Sequence, residues 1–411
     1  MLNRFLSQRL PNSSQRRLVL MTGARQTGKT TLALAAYPDL NYISLDEIES
    51  RSLLRELPTR AWGATVGPAI LDEAQKEPMI FEKVKFAYDR GDIDFSVLLG
   101  SSQILMLQRV RESLAGRVFV YELWPFMLKE LMASAPLTPP MFDKFLVQPG
   151  DADRLLEREP PVLMGEAAYE RERWLQYMLT WGGMPALLPL TDDERRDWLH
   201  SYTLTYLERD LGDLARLRDL TPFRRFQHLA ALRSGQVIAY ADLARDADIS
   251  PGTARNYLRY LEISYQHFLL PPYYGNPTKR LVKSPKLYWV DVGLWREQTG
   301  VWGEMSGQVL ENFVVAECYK WVKTMRPDVS LMFYRTHGGA EVDLIVETSR
   351  GVWGVEIKTS RRASLAQARN LRALGAELGK RWRGGLVLYQ GAMIQRLAKN
   401  IWAVPVARFL S

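Results

Sequence analysis

Apolar residues in the first hundred positions come in short, nearly continuous runs rather than at a helical spacing. Residues 17–22 (RLVLMT), 41–45, 69–71 and 95–99 are such runs, each bounded by polar or glycine-containing segments. That is the pattern of strands buried on both faces. Stretches of helical spacing lie between them, beginning with a helix expected over residues 30–36. Strands alternating with helices predict a parallel α/β sheet. Breakers then gather in residues 133–161, in SAPLTPP, QPG and EREPP, and predict an irregular insertion. Residues 166–232 read as mostly helical, with a break at Gly182, Gly183, Met184 and Pro185. Several short helices are expected over 223–274, and strands and helices alternate again from residue 286. The expected units are 1–132, 133–222 (a helical lid with the insertion), 223–285 and 286–411.

The first run leads directly into a Gly-rich turn. Gly23, Ala24, Arg25, Gln26, Thr27, Gly28, Lys29 and Thr30 fit G-x-x-x-x-G-K-[ST], following a strand and opening a helix. Glycines let backbone N–H groups wrap phosphates, and the helix N-terminus adds a positive dipole. Lys29 would reach the β- and γ-phosphates, and Thr30 would ligate Mg²⁺. The run at 69–71 ends in Asp72 and Glu73. Asp72 would hold the metal through water and Glu73 would orient the attacking water; a surface acidic pair is the plainer alternative. The run at 95–99 ends in Gly100, Ser101 and Ser102. Ser101 is a candidate γ-phosphate sensor, or else a helix cap. Arg117 is a candidate for neutralising transition-state charge, in cis or from a neighbouring subunit, or else a structural ion pair.

Composition narrows the classes. The 411 residues are 47% hydrophobic and 24% charged, which excludes disorder as a whole-chain description. The balance of 54 Lys and Arg against 46 Asp and Glu gives a net charge of +8, which permits a nucleic-acid partner. One cysteine, Cys318, cannot form an intramolecular disulfide, and four scattered histidines make no zinc cluster. Without a long apolar run, a cytoplasmic protein with no membrane association is expected.

The segments GARQTGKTTL, AILDEAQKEP, LLGSSQ, SLAGRV and LWPFMLKE, in this order, resemble a family of prokaryotic AAA-type P-loop ATPases whose C-terminal half is a domain of unknown function. LTWGGMPALL, YLERDL, LYWVDVGL and LENFVVAE agree with it. The resemblance implies an ATPase, with ATP and Mg²⁺ as cofactors.

Two further constellations lie downstream. Residues 239–247 (AYADLARDA) form a short amphipathic pattern, then Ser250 and Pro251 stand as N-cap and first position of a second helix. In that helix Ala254, Tyr257, Leu258 and Leu261 would face the core, and Thr253, Arg255, Asn256 and Arg259 would face out. This is helix-turn-helix patterning, expected as a winged-helix segment. Lys279, Arg280, Lys283 and Lys286 follow beside Tyr273 and Tyr274, as a basic wing suited to phosphates. A lid or a protein contact is the alternative use.

In the C-terminal part, Glu311 and Glu317 lie in a helix, Asp343 in one strand, and Glu356 and Lys358 on one face of the next. Two carboxylates on one face can bind Mg²⁺, and a lysine beside them can activate water. The order resembles the D…E-x-K core of restriction-endonuclease-like nucleases, with Glu311 as an accessory acid. Residues 357–383 carry eight Lys or Arg against Glu377 alone, which suits a phosphate backbone. The expected fold is therefore α/β: a P-loop NTPase core with a helical lid, a winged-helix segment and a C-terminal restriction-endonuclease-like α/β domain. The expected function is an ATPase that binds DNA and carries a nuclease-like module. The alternative is an ATP-gated DNA- or protein-binding switch without cleavage, and a homo-oligomer is open to either.

Overall fold

The apolar runs of the first third become one parallel sheet. A computed structural model of the chain describes all residues except 1–2, 101–105, 107–112, 133–136, 216–218, 275–283, 304 and 337, together with the backbone alone for 206–215. The sheet contains β1 (Arg17–Thr22), β2 (Asn41–Ser44), β3 (Ala69–Asp72), β4 (Phe95–Leu99) and β5 (Val118–Glu122), in the order β2-β3-β4-β1-β5, every pair parallel. Every residue of β3 and β4 is buried, as their unbroken apolar runs require. The edge strand β5 is only half covered, and its weaker pattern gave no strand expectation. Because the chain leaves β1 for distant β2, a crevice opens at the carboxyl end of β1, where such sheets bind ligands.

Beyond the sheet, the helices Glu166–Trp181 and Asp192–Ala215 follow the expected helical stretch. The break between them is built around Asp291. This buried carboxylate accepts the Gly183 amide at 2.7 Å and the Leu294 amide at 3.1 Å. Gly182 has φ of 77°, and a Cβ there would strike the Asp291 carboxylate. The Gly-Gly pair and the downstream Asp-Val-Gly are thus two halves of one junction.

The helices Thr221–Leu232, Tyr240–Ala247 and Pro251–Ile263 pack together, followed by an antiparallel pair, β6 (His267–Leu270) and β7 (Lys286–Trp289). Ser250 accepts the Thr253 amide at 3.0 Å, the N-cap read from the sequence. Ala254, Tyr257, Leu258 and Leu261 are buried, as their spacing predicts.

The C-terminal part is a six-stranded mixed sheet of β8 (Ser330–Arg335), β9 (Glu341–Thr348), β10 (Gly351–Lys358), β11 (Trp382–Tyr389), β12 (Gln395–Ala398) and β13 (Ile401–Pro405). Its order is β12-β13-β11-β10-β9-β8. The β8–β9–β10 part is antiparallel, whereas β10, β11 and β13 run parallel. The helix Gly307–Met325 packs on β10 and the helix Arg369–Leu378 on β10 and β11.

The segment expected to be an irregular insertion holds two short helices, Met141–Val147 and Ala152–Leu156. Their apolar residues pack on the C-terminal sheet: Phe145 meets Trp353 edge-on at 5.1 Å, and Asp153 accepts the Trp402 indole N–H at 2.7 Å. Tertiary burial stabilises helices here that local breakers argued against.

Candidate functional site

The crevice at the end of β1 holds the Gly-rich loop. Gly23, Gln26 and Gly28 all have positive φ, at 150°, 60° and 91°, which curls the backbone into an anion-binding nest. A Cβ on Gly23 would collide with the Leu123 carbonyl, so only glycine lets the loop lie against the end of β5. Lys29 is buried and its ammonium donates to the carbonyls of Gly23 at 3.0 Å and Ala24 at 2.8 Å. Thr27 closes the loop by donating to the Ala24 carbonyl at 2.9 Å. Arg25 lies in the loop between the two glycines.

Thr30 donates to Asp72 Oδ2 at 2.6 Å. The two side chains come from adjacent ends of helix and strand, and both offer hard oxygens, the donor set that Mg²⁺ takes. Tyr42 on β2 donates to the same carboxylate oxygen at 3.0 Å. Burial first, then the Asp72 charge, pushes its phenol up to about 12. Sequence reasoning missed Tyr42, because only the β2–β3 register, which sets Tyr42 opposite Ile70, brings it beside Asp72. Glu73 has φ of 51° and its carboxylate accepts from the Gln75 amide. A cavity of about 290 Å³ borders Gly28, Thr31 and Leu32 on one side and Asn3, Arg4 and Phe126 on the other.

The structure does not bring Arg117 to this loop. It precedes β5, whose Val118 pairs with Leu18 at the start of β1, whereas the loop follows Thr22 at the other end. Its guanidinium binds Asp89 at 2.6 and 3.0 Å. A role in cis is therefore corrected: the length of the sheet separates the two. Ser101 lies outside the described residues.

At the C-terminal site, β9 and β10 pair as far as Leu344 opposite Val355, and the next residues, Asp343 and Glu356, both reach Lys358, so the carboxylates share a face. Asp343 accepts the Ile357 amide at 2.7 Å. Lys358 lies 2.6 Å from Glu356 and 3.7 Å from Asp343. Burial and the Asp343 charge push the Glu356 carboxyl up to about 7, and burial likewise raises Asp343 and Glu311. Glu356 Oε1 is buried without a hydrogen-bond partner among the described residues.

Glu311 accepts Tyr288 at 2.6 Å and Lys286 at 3.1 Å, and Lys286 also meets Glu341 at 2.5 Å. Lys286 is therefore no part of an exposed basic wing. It is buried among carboxylates because β7 pairs with β6 and turns it inward. Tyr273 is also buried. Among the described residues no group of three or more His, Cys, Asp or Glu is arranged to hold a metal ion. Glu311, the expected accessory acid, lies close enough to feel the Asp343 charge, and Lys286 and Lys358 neutralise the carboxylates. Glu317 pairs with Lys320 and accepts the Leu128 amide, a structural role.

On the helix Pro251–Ile263, Arg255, Asn256 and Arg259 are exposed as expected, with Arg255 5.3 Å over the Tyr240 ring. Lys279 and Arg280 lie outside the described residues. Just past this helix, Tyr265 adopts φ of 62° and is buried. Its hydroxyl meets Thr22 Oγ1 at 2.7 Å, the residue immediately before Gly23. It stacks edge-on against Trp124 at 5.1 Å. No sequence signal pointed to this link.

Residues 15–132 match the model of an AAA domain. Residues 171–303 match a domain of unknown function (DUF8612), and residues 306–409 another (DUF4143). Uncharacterized proteins of Mycobacterium tuberculosis and Mycobacterium bovis are each 28% identical over 406 residues, 96% of this chain and 81% of the relative. A Walker-type ATPase of Pyrococcus abyssi is similar at a TM-score of 0.44 and 16% identity, over 71% of this chain and 94% of that one. No helix of the described residues is long and apolar enough to cross a membrane. Residues 15–132 thus form an AAA-type P-loop ATPase domain, and ATP is the ligand its loop suits.

Proposed function

We propose that this chain hydrolyses ATP at the loop of residues 23–30 and uses the nucleotide state to control its grip on DNA. The observation that carries the reading is the Thr22–Tyr265 hydrogen bond, which joins the root of the phosphate loop to the unit bearing Arg255 and Arg259. Backbone amides of the loop and Lys29 hold the β- and γ-phosphates. Thr30 and Asp72 hold the Mg²⁺ that accompanies ATP. Glu73 orients the attacking water, and the cavity beside Gly28 receives the base. A shift of the loop between nucleotide states displaces Thr22, and Tyr265 transmits it to the helix Pro251–Ile263.

That unit has the helix order and antiparallel strand pair of a winged helix, and Arg255, Asn256 and Arg259 are its exposed face toward DNA. The exposed Arg361, Arg362, Arg369 and Arg372 add to the basic surface. In this reading Lys279 and Arg280 contribute further phosphate contacts.

The test is binding of a labelled duplex to the purified protein, with Mg²⁺, without nucleotide, with ADP and with a non-hydrolysable ATP analogue. A DNA affinity that differs between these states in wild type, and less so in Tyr265→Phe, supports the reading. DNA affinity identical in all states refutes it.

A second reading is metal-dependent cleavage at Asp343, Glu356 and Lys358, as in a restriction-endonuclease-like fold. The unpartnered buried Glu356 Oε1 favours it. Mg²⁺ needs only one or two carboxylates plus waters, which Asp343 and Glu356 supply. Cleavage of labelled DNA by wild type and not by Asp343→Ala is its signature.

A further inference from the structure

A recess of about 550 Å³ lies outside both sites, in the size range of small-molecule pockets. It opens at the carboxyl ends of the parallel strands β10, β11 and β13, through Arg361, Gln390 and Pro405, and the helix Glu166–Trp181 closes it. Carboxyl ends of parallel strands are where α/β sheets receive ligands.

Three arginines line the recess: Arg171, Arg361 and Arg408. Arg408 is 5% exposed and held by the Pro160 carbonyl at 2.5 Å and by Glu159 at 3.3 Å, yet its Nε has no hydrogen-bond partner among the described residues. Arg171 is fixed by Ser411 Oγ at 2.8 Å and the Ala167 carbonyl at 3.0 Å. After burial and Glu159, the Arg171 charge is among the influences on Arg408. Two guanidinium groups that line one recess and act on each other repel, a cost that a bound anion reduces. Arg361 is exposed and makes no ion pair among the described residues. The one acid on the wall, Glu172, accepts the Gln176 amide at 2.8 Å.

The rim is apolar. Met164 is 87% exposed and Tyr169 70% exposed, unusual for such side chains. Tyr169, Glu172 and Gln176 fall at i, i+3 and i+7, so Tyr169 stands on the helix face that carries two lining residues and next to a third, Ala168. Fixed guanidinium groups suit a phosphate, a flat ring suits a base, and Gln390 offers an amide for a base edge.

We propose that this recess binds a nucleoside 5′-monophosphate, either free or as the end of an oligonucleotide. The phosphate sits among Arg171, Arg361 and Arg408, and the base lies on Tyr169. The assignment stands apart from the phosphate loop and does not require it. The experiment is calorimetry on the full chain with the loop filled by Mg·ADP, titrating AMP and, separately, a 5′-phosphorylated tetranucleotide. At least one titrant should bind, and Arg361→Ala should weaken it roughly tenfold, the loss of one charge-assisted contact. Tyr169→Ala should weaken AMP more than inorganic phosphate, whereas Arg173→Ala, exposed on the same helix but not lining the recess, should change nothing. AMP binding alone identifies a free nucleotide, and tetranucleotide binding alone a strand end. If neither binds, or if Arg361→Ala binds as wild type does, the proposal is wrong. Failure of the ATP reading would appear separately, as absent ADP binding before the titration.

Discussion

Replacing Lys286 by methionine tests what holds the C-terminal carboxylates together. The lysine is 2% exposed, 3.1 Å from Glu311 and 2.5 Å from Glu341, with Asp343 close enough to act on it. Burial alone would lower its pKa, but Glu311, Glu341 and Asp343 outweigh burial and raise it. The ammonium therefore stays charged and neutralises the cluster. Methionine keeps the apolar stem but removes the charge, including the ammonium that lies 5.5 Å over the Phe333 ring. Breaking a buried ion pair from one side costs about 3–5 kcal/mol. Glu311 and Glu341 keep 21% and 32% side-chain exposure, which lets water and protons relieve part of that, so about 3 kcal/mol is expected. Urea unfolding followed by tryptophan fluorescence measures it, since Trp353 and Trp382 lie in the same sheet. If the carboxylates can take a metal, Mn²⁺ should stabilise the variant more than wild type, because no lysine competes. At a hundred times its Kd a ligand returns about 2.7 kcal/mol, nearly the whole loss. A variant as stable as wild type would falsify the neutralising role. An equal effect of Mn²⁺ on both proteins would show that Lys286 and the metal do not share the site.

Lys29→Ala should abolish tight ATP binding, and Glu73→Gln should retain binding but slow hydrolysis; fluorescent-nucleotide binding and phosphate release separate the two, and normal turnover by Lys29→Ala overturns the assignment. Tyr265→Phe should cost about 1 kcal/mol of stability, one buried hydrogen bond, while reducing the nucleotide dependence of DNA binding; a variant as nucleotide-responsive as wild type assigns Tyr265 to packing alone. Charge reversal at Arg255 and Arg259 should weaken duplex binding and flatten its salt dependence by about 0.9 per lost phosphate contact; an unchanged slope assigns that helix to protein contacts. Because Glu356 rises to about 7 in the fold, the folded chain holds a proton that the unfolded chain loses near pH 4.5. This group's contribution is therefore fully present below about pH 4.5 and falls by up to about 1.4 kcal/mol per unit as pH rises to 7. Glu356→Gln should flatten the stability profile in that window, and an unaltered profile shows that the carboxyl titrates normally.

The ATPase domain was legible in the residues because its determinants are local. A phosphate loop needs glycines, a lysine and a threonine at fixed spacing between one strand and one helix, and unbroken apolar runs mark strands buried on both faces. The same holds for the Ser250 cap and for the inward stripe Ala254, Tyr257, Leu258 and Leu261, where capping and helical period set the outcome within a few residues. Alternation along β10 put Glu356 and Lys358 on one face, and the pairing of β9 with β10 brings Asp343 within 3.7 Å of the Lys358 ammonium. Long-range pairing decided the rest. Lys286 looks like one more basic residue of a wing until β7 pairs with β6 and turns it onto Glu311 and Glu341. Arg117 looks near the loop in sequence, yet parallel pairing with β1 carries it to the opposite end of the sheet. Two short helices arose in a breaker-rich segment because the C-terminal sheet offered Phe145 and Asp153 partners more than 200 residues away. Tyr265 reaches Thr22 across 243 positions. Contacts at such separations depend on how whole elements pack, and no local pattern of side chains encodes them.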